Sequence, residues 1–280
     1  MAAAFDDVGL AAEIKLLRGA EIADATEALQ AHDLVVVGGG DGTLGAAARV
    51  LLDRPGSALG ILPLGTHNHF ARQLNIPQDL AGAAAVLAQG VRRQVDVGGV
   101  DGRIFLNNAS IGFYPSLVRS RDQEQQRHAI PKWLANIPAT WAALRRLRHH
   151  RLRVEIDGDP QTVVTPLLFV GNNRYALDGG RIGERAALDE GELSIFAVES
   201  RTRLGALGFA LRLIAGLADL DRDFALARAG RTLTVQAHAG EISVALDGEV
   251  HRLKSPLDFH IQPRALEVIA PRDQKADYQE

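Results

Sequence analysis

The segment that most constrains the fold is an apolar run that ends in a cluster of glycines. Residues Leu34 to Val37 are apolar and mostly β-branched, Gly38 to Thr43 read G-G-G-D-G-T, and Leu44 to Leu52 follow with helical spacing. A short apolar run of this kind is typical of a strand buried on both faces of a parallel sheet. Glycines at its end let backbone N–H groups approach a phosphate, and the N-terminus of the next helix adds partial positive charge. The segment therefore predicts a strand–loop–helix unit that binds an anion.

The acidic residue inside the glycine cluster limits the kinds of anion site that the loop can form. The carboxylate of Asp41 would repel a bare phosphate, so phosphate binding here calls for a bridging magnesium ion. The run from Gly40 to Gly45 also matches the dinucleotide pattern G-x-G-x-x-G, but the next strand ends in Pro63-Leu64-Gly65, where that pattern expects an acid. Thr43 stands where a Walker loop has lysine. A tight turn without a ligand stays open for this motif taken alone.

A second polar block follows the next predicted strand. Leu62 to Arg72 reads L-P-L-G-T-H-N-H-F-A-R. Loops at the carboxyl ends of neighbouring parallel strands converge on one crevice, so this block is expected to face the glycine loop. Thr66 and Asn68 offer hydrogen bonds to a nucleotide. His67 and His69 lack a third ligand nearby, and we interpret them as polar loop residues rather than as a metal pair.

The order of the predicted helices and strands divides the chain into two parts. Strands and helices alternate up to about Val91, which predicts a parallel sheet covered on both faces. Strand-like segments then dominate, with helical inserts near 130–148 and 202–220, and this part is predicted to be an antiparallel β-sandwich. Three dipeptides supply the chemistry of two-residue hairpin turns, namely Asp101-Gly102, Asp157-Gly158 and Asp247-Gly248.

Two domains follow from this division. The first is predicted over residues 1–95, with a return of the chain over about 263–280 that includes a short strand from Ala265 to Ile269. The second covers 96–262. A further short strand is predicted from Ala12 to Leu17, before the glycine loop.

Composition and charge narrow the classes of partner and compartment. The net charge of −3 gives no global attraction to nucleic acid, and there is no cysteine for a disulfide or a thiolate metal site. Asp6 and Asp7 stand where a signal peptide would carry basic residues, and no run is apolar enough to span a bilayer. We therefore expect a cytoplasmic protein that meets any lipid from the water side.

Taken in order, the motifs resemble those of the diacylglycerol kinase catalytic domain family, which includes bacterial lipid kinases and sphingosine kinases. That family has a strand followed by G-G-D-G-T and then P-L-G-T-x-N-D-F-A-R. The resemblance spans about residues 12–270 and continues through four later segments, namely Asp96 to Gly98, Phe105 to Gly112, Ala187 to Leu193 and Leu246 to Glu249.

This resemblance implies an ATP-dependent lipid kinase that phosphorylates a hydroxyl of diacylglycerol or a related lipid. It implies a Rossmann-like nucleotide-binding domain, whose first strand has no counterpart in this sequence, and a β-sandwich lipid-substrate domain. Asp41 would engage magnesium and the phosphates, and Glu249 would be the general base. The residues implied to hold ATP are Gly39, Gly40, Asp41, Gly42, Thr43, Leu44, Gly45, Thr66 and Asn68.

The resemblance also implies a second, structural magnesium ion. Its ligands would be the Glu190 carboxylate and the carbonyls of Ala187 and Glu192. Family members commonly have aspartate where Glu190 stands. They also commonly have aspartate where this chain has His69. Two alternatives follow, namely a catalytically impaired nucleotide- or lipid-binding protein of the same fold, and a soluble small-molecule kinase of the NAD kinase type, since NAD kinases share the G-G-D-G loop.

One segment combines aromatic and basic residues as membrane-surface helices do. Between Lys132 and Arg153, the contact residues we expect at an anionic inner membrane face are Trp133, Trp141, Arg145, Arg146 and Arg148. The alternative is an amphipathic helix packed on the sandwich, with its arginines solvated. Peripheral membrane contact and a homodimer are both left open at this stage.

Overall fold

The structure is a computed structural model, and it describes residues 2–11, 14–18, 21–28, 34–112, 149–175, 185, 187–199, 202, 205, 208–209, 212 and 223–272. The chain divides into two compact units, one formed by Met1–Val97 with Pro263–Glu280 and the other by Gly98–Gln262.

The described helices are α1 (Ala2–Asp6), α2 (Ile22–Ala28), α3 (Asp41–Leu51), α4 (His69–Gln73) and α5 (Leu80–Gln89). The described strands are β1 (Leu34–Gly39), β2 (Ala58–Pro63), β3 (Val91–Val100), β4 (Arg103–Phe105), β5 (Asn108–Gly112), β6 (His150–Ile156), β7 (Asp159–Thr165), β8 (Leu167–Asn172), β9 (Leu193–Val198), β10 (Phe224–Gly230), β11 (Thr232–Ala237), β12 (Glu241–Leu246), β13 (Glu249–Lys254) and β14 (Leu257–Ala270).

The first unit is built on a parallel sheet, as predicted. Strand β1 pairs with β2 in parallel, from Leu34 opposite Ala58 to Gly39 opposite Pro63. The end of β14 pairs in parallel with the other edge of β2, with Glu267 opposite Ala58 and Val268 opposite Leu59. Helix α3 buries side chains at positions i, i+3, i+4 and i+7, the spacing of one helix face, and these are Leu44, Ala47, Ala48 and Leu51.

Two expectations for the first unit are wrong. Every residue of β2 is buried, but β1 alternates, and Val36 is 37% exposed. An apolar run therefore did not distinguish a half-covered strand from a fully covered one. The strand predicted from Ala12 to Leu17 is also incorrect over its described part, since residues 14–17 have no regular structure and Leu16 is exposed.

The second unit is an antiparallel sandwich, as predicted. One sheet has the strand order β10-β9-β8-β5-β12-β13. In the other, β11 pairs with β6 and with the start of β14, and β6 pairs with β7. Side chains from both sheets form one hydrophobic cluster, which includes Phe105, Val154, Leu168, Val244 and Phe259. Burial of the facing apolar surfaces is what holds the two sheets together.

The three Asp-Gly dipeptides are two-residue hairpin turns, as predicted. Both residues of each turn have positive φ, for example 46° at Asp247 and 91° at Gly248. This is the left-handed backbone that a type I′ turn requires, and Asp-Gly adopts it readily. The turns join β3 to β4, β6 to β7 and β12 to β13.

The two predicted helical inserts are described unequally. The segment 130–148 lies outside the described residues. Within 202–220, residues 205, 208, 209 and 212 are helical, and Phe209 packs against Val198 and Phe224. The Arg212 guanidinium is hydrogen-bonded to the buried carboxylate of Asp223.

Candidate active site

The glycine loop and the second polar block lie side by side in the first unit, as predicted. The parallel register places Gly39 opposite Pro63, so the two loops leave the sheet at the same edge. The Leu64 N–H donates to the Gly39 carbonyl at 3.2 Å. A Cβ atom on Gly65 would lie 2.9 Å from the Gly40 nitrogen and closer still to the Gly40 Cα. The loops therefore meet backbone to backbone, which two side chains of ordinary size would prevent.

The start of helix α3 presents backbone donors beside this contact. Gly40 is the N-cap residue, with φ −94° and ψ −176°, and no side chain caps this end of the helix. The first N–H groups of an α-helix have no partner within the helix, and here they belong to Asp41, Gly42 and Thr43. These donors, with the positive end of the helix dipole, suit an anionic phosphate.

Asp41 joins the two loops through its side chain. One carboxylate oxygen accepts the His69 N–H at 3.1 Å, and the other accepts the Phe70 N–H at 2.9 Å. Asp41 thus supplies acceptors to the first turn of α4 from a distant part of the sequence. Carboxylate oxygens accept more than one bond each, so this role is compatible with a further ligand.

Asn68 organises the second loop from inside. Its side chain is buried, and its Oδ1 atom accepts the Gly65 N–H at 2.9 Å. Its Nδ2 atom donates to the carbonyls of Pro63, at 3.1 Å, and Gly65, at 3.0 Å. Asn68 also has φ 50°, a left-handed conformation that asparagine tolerates better than most residues. Its side chain therefore holds the loop, and its role in binding a nucleotide stays a prediction.

The remaining predicted nucleotide contacts differ in what they offer. The side chain of Leu44 is fully buried and its N–H is bonded to the Gly40 carbonyl at 3.0 Å, so Leu44 contributes to the core, and its contact with a nucleotide stays a prediction. A Cβ atom on Gly45 would meet nothing within 4 Å, so Gly45 borders open space. Thr66 is exposed. The exposed rings of His67 and His69 stack, with centroids 5.6 Å apart and an interplanar angle of 18°.

The proposed general base lies at a hairpin tip in the second unit. Glu249 is the first residue of β13, is exposed, and pairs with Leu246 across the Asp-Gly turn. His251 is two residues further along the same strand, hence on the same face. Burial, followed by the charge of Arg103, lowers the pKa of His251, while the charge of Glu249 opposes this shift. The hairpin tip therefore carries an acidic and a basic group, and the charge of Glu249 acts on the pKa of His251.

The predicted structural magnesium loop is occupied by protein groups. The Glu190 carboxylate accepts the Arg174 N–H at 3.0 Å, and the Glu192 carbonyl accepts the Asn173 N–H at 3.0 Å. The Arg174 guanidinium donates to the Glu192 carboxylate at 3.0 Å and 2.7 Å. This hydrogen bond, with the attraction of both carboxylates, raises the pKa of Arg174. A guanidinium bonded to the Glu192 carboxylate disfavours a divalent ion beside that side chain, and the magnesium site at Ala187, Glu190 and Glu192 stays a prediction.

The donor set beside the glycine loop fits a nucleotide-bound magnesium ion better. Magnesium in phosphotransferase sites is held by one or two carboxylates together with the phosphates of the substrate, and Asp41 offers one carboxylate beside the glycine loop. Across the described ranges, no three acidic, histidine or cysteine side chains are grouped so as to hold a metal ion by themselves.

Some predicted features cannot be located. The contact segment with Trp133, Trp141, Arg145, Arg146 and Arg148 lies outside the described residues. Among the helices that the structure describes, none is long and apolar enough to cross a bilayer.

Three site residues were missed by sequence reasoning. Asp247 was noted as a turn residue and as part of the segment from Leu246 to Glu249, without a role of its own, and Arg174 and Arg185 were not singled out. A lone arginine in a loop has no sequence pattern that reveals its partners, because those partners are distant along the chain. For Asp247, the turn itself was the available signal, since Asx side chains at turns often accept nearby backbone N–H groups.

Both parts of the chain match known family models. Residues 4–100 match the model of the diacylglycerol kinase catalytic domain, and residues 117–270 match that of the YegS C-terminal NAD kinase beta sandwich-like domain. Proteins named diacylglycerol kinase from Staphylococcus aureus strains JH9 and Newman are 28% identical over 266 residues, which cover 90% of this chain and 81% of theirs.

Solved structures agree in fold. A crystal structure of a diacylglycerol kinase from Bacillus anthracis str. Sterne matches with a TM-score of 0.66 and 21% identity, over 96% of this chain and 87% of that one. A second structure from the same strain matches with a TM-score of 0.69 and 23% identity, over 98% of this chain and 88% of that one. At these identities the likeness shows the fold.

Proposed function

Because the chain belongs to the diacylglycerol kinase family, we propose that it transfers the terminal phosphoryl group of ATP to a hydroxyl of diacylglycerol or a related lipid. In this proposal the first unit binds the nucleotide and the second binds the lipid. The observation that carries it is the backbone contact between Gly40 and Gly65, which sets the donors of α3 and the carboxylate of Asp41 at one edge of the sheet.

The chemistry asked of the first unit is mainly positioning and charge neutralisation. Phosphoryl transfer proceeds with little covalent participation by the protein. The N–H groups at the start of α3 donate to no carbonyl within the helix and are proposed to donate to phosphate oxygens. A magnesium ion bound with the nucleotide would neutralise phosphate charge, and Asp41 would be its protein ligand.

The chemistry asked of the second unit is proton transfer. A lipid hydroxyl is a poor nucleophile until its proton is removed, and the Glu249 carboxylate is proposed to accept that proton. A general base of this kind contributes about 10²–10⁴-fold to the rate. The lipid is proposed to be reached from the membrane surface, with Trp133, Trp141 and the arginines near 145–148 as contacts.

The proposal is tested by incubating the protein with MgATP labelled at the γ-phosphate. One set of reactions contains vesicles with diacylglycerol in an anionic phospholipid, and a second contains NAD without vesicles. Label in the extracted lipid supports the proposal. Label in NAD instead would favour the soluble-kinase alternative, and ATP binding without transfer to either acceptor would favour the impaired alternative suggested by His69.

A further inference from the structure

In the second unit, one short segment is held from both sides by groups of opposite charge. On its N–H side, the Asp247 carboxylate accepts the backbone N–H groups of Leu106, at 2.7 Å, Asn107, at 2.8 Å, and Asn108, at 3.1 Å. Three consecutive N–H groups on one carboxylate form a strong anion cradle, since hydrogen bonds to a charged acceptor are about twice as strong as neutral ones. We call residues Leu106 to Asn108 the clamped segment.

On the carbonyl side, the Arg185 guanidinium supplies the opposite charge. It donates to the Leu106 carbonyl at 2.8 Å, to the Asn172 carbonyl at 3.0 Å and to the Asn107 side-chain oxygen at 3.1 Å. The guanidinium also lies 5.7 Å from the centre of the Tyr175 ring. A planar guanidinium with several donors suits a fixed group of acceptors better than an ammonium does.

A single peptide group connects the two charges. The peptide between Leu106 and Asn107 has its carbonyl on Arg185 and its N–H on Asp247. A peptide dipole whose oxygen faces a cation and whose N–H faces an anion is held in its favourable orientation at both ends. Hydrogen bonds linked in this way polarise and strengthen one another. Neutral donors complete the carbonyl side, since Asn172 Nδ2 donates to the Leu106 carbonyl at 2.9 Å.

The clamped segment in turn fixes the hairpin tip that carries the proposed base. Asp247 and Gly248 form the whole turn between β12 and β13, and Glu249 follows directly. The Asp247 N–H also donates to the Asn108 carbonyl at 2.9 Å. Since Gly248 has no side chain, Asp247 is the turn residue whose side chain can tie this tip to the sheet.

We propose that Arg185 is a positioning residue for Glu249, acting through the Leu106–Asn107 peptide and Asp247. This inference rests on the proposed function, because it takes Glu249 as the base. The described hydrogen bonds of Arg185 go to the Leu106 carbonyl, the Asn172 carbonyl and the Asn107 side chain, so any effect on Glu249 would be transmitted through these groups. Removal of Arg185 is expected to leave nucleotide binding intact and to loosen the direction in which the Glu249 carboxylate points.

The test compares R185Q, which removes the charge but keeps a donor, with R185K, which keeps the charge without the planar fork. The matched control is R228Q, since Arg228 forms an exposed ion pair with Asp159 elsewhere in the unit. We expect kcat for lipid phosphorylation to fall roughly 10- to 100-fold in R185Q, because misplacement of a catalytic group by about 1 Å has effects of that size. The kcat of R185K is expected to lie between those of R185Q and the wild type, and the kcat of R228Q to equal that of the wild type. KM for ATP is expected to stay within about twofold of the wild-type value in all three variants.

A second measurement tests the hydrogen bonds of the clamped segment without requiring catalytic turnover. Hydrogen exchange at the amides of Leu106, Asn107 and Asn108 is expected to be about tenfold faster or more in R185Q and in D247N than in the wild type, with global stability matched by denaturant. Should R185Q not fold, R185K carries both measurements.

The outcomes separate the two proposals. If the wild type phosphorylates lipid and folded R185Q has the same kcat and the same exchange rates, only the positioning role of Arg185 is overturned. If KM for ATP rises as much as kcat falls, a role in positioning the base is likewise overturned. If the wild type transfers no phosphate while the three amides still respond to R185Q, the proposed function fails and the clamp stands as a structural device.

Discussion

Replacing Gly65 with alanine tests whether the backbone contact between the two loops sets the nucleotide site. The added Cβ atom would lie 2.7 Å from the Asn68 Oδ1 atom and 2.9 Å from the Gly40 nitrogen, with the Gly40 Cα closer still. Two of these atoms are backbone, which cannot rotate away as a flexible side chain can. The loops must therefore separate by about one ångström or more to restore ordinary van der Waals contact.

The size of the effect follows from overpacking. Forcing an extra methyl group into a packed site costs about 1–3 kcal/mol. For a chain of this size that corresponds to a fall in Tm of roughly 2–4 °C per kcal/mol. We also expect the affinity for MgATP to fall about tenfold or more, since a hydrogen bond to a charged group contributes about 1.5–3 kcal/mol and the donors of α3 would no longer meet the second loop.

The assays are thermal unfolding and calorimetric titration with MgATP, and G45A is the matched control for stability. A Cβ atom on Gly45 meets nothing within 4 Å, so alanine there is expected to stabilise α3 by about 0.5–1 kcal/mol. A G65A protein with wild-type Tm and wild-type affinity for MgATP would refute the argument that close backbone approach builds this site.

Further predictions concern charge and buried polar groups. E249Q is expected to lower the pKa of His251 further, measured by NMR titration, because burial and Arg103 already lower it and Glu249 opposes them. Since the folded pKa of His251 is depressed, its contribution to the free energy of unfolding is retained above the unfolded pKa of about 6.5 and is lost as pH falls through the folded pKa. In H251Q, the free energy of unfolding from denaturation curves should therefore fall less over this pH range. Without nucleotide, the wild-type Tm should be the same in magnesium and in EDTA. In R174Q, the carboxylates of Glu190 and Glu192 lose the neighbouring positive charge, so magnesium should raise the Tm. A wild-type Tm that rises with magnesium would contradict the role given to Arg174. N68A should lose about 1–3 kcal/mol in urea unfolding, since buried loop groups lose their partners, and an unchanged midpoint would count against that role.

The parts of the fold that follow from local rules could be predicted from the sequence. Asp-Gly dipeptides between strands gave all three two-residue hairpins, because few other pairs adopt positive φ at both positions. The convergence of the loops after β1 and β2 followed from the geometry of parallel strands. The exposure of Val36 could not be predicted, since coverage of a strand depends on neighbours that periodicity does not reveal.

The structural roles of individual residues within the motifs could not be predicted. A sequence places Asp41 and Asn68 in loops that are expected to bind phosphate but does not show that their side chains also hold those loops together. Likewise, the segment from Ala187 to Glu192 has the residue types of a cation-binding loop. The Arg174 guanidinium that donates to the Glu192 carboxylate comes from another part of the chain. Contacts made by long polar side chains across loops need the folded structure.

The central claim is that a carboxylate at the β12–β13 turn removes the proton of a lipid hydroxyl while the glycine loop holds MgATP. The most direct test is the rate of γ-phosphoryl transfer to diacylglycerol in vesicles, at saturating MgATP, for wild type and E249Q. We expect a rate about 10²–10⁴-fold lower in E249Q, with unchanged affinity for MgATP. Equal rates in the two proteins would contradict it.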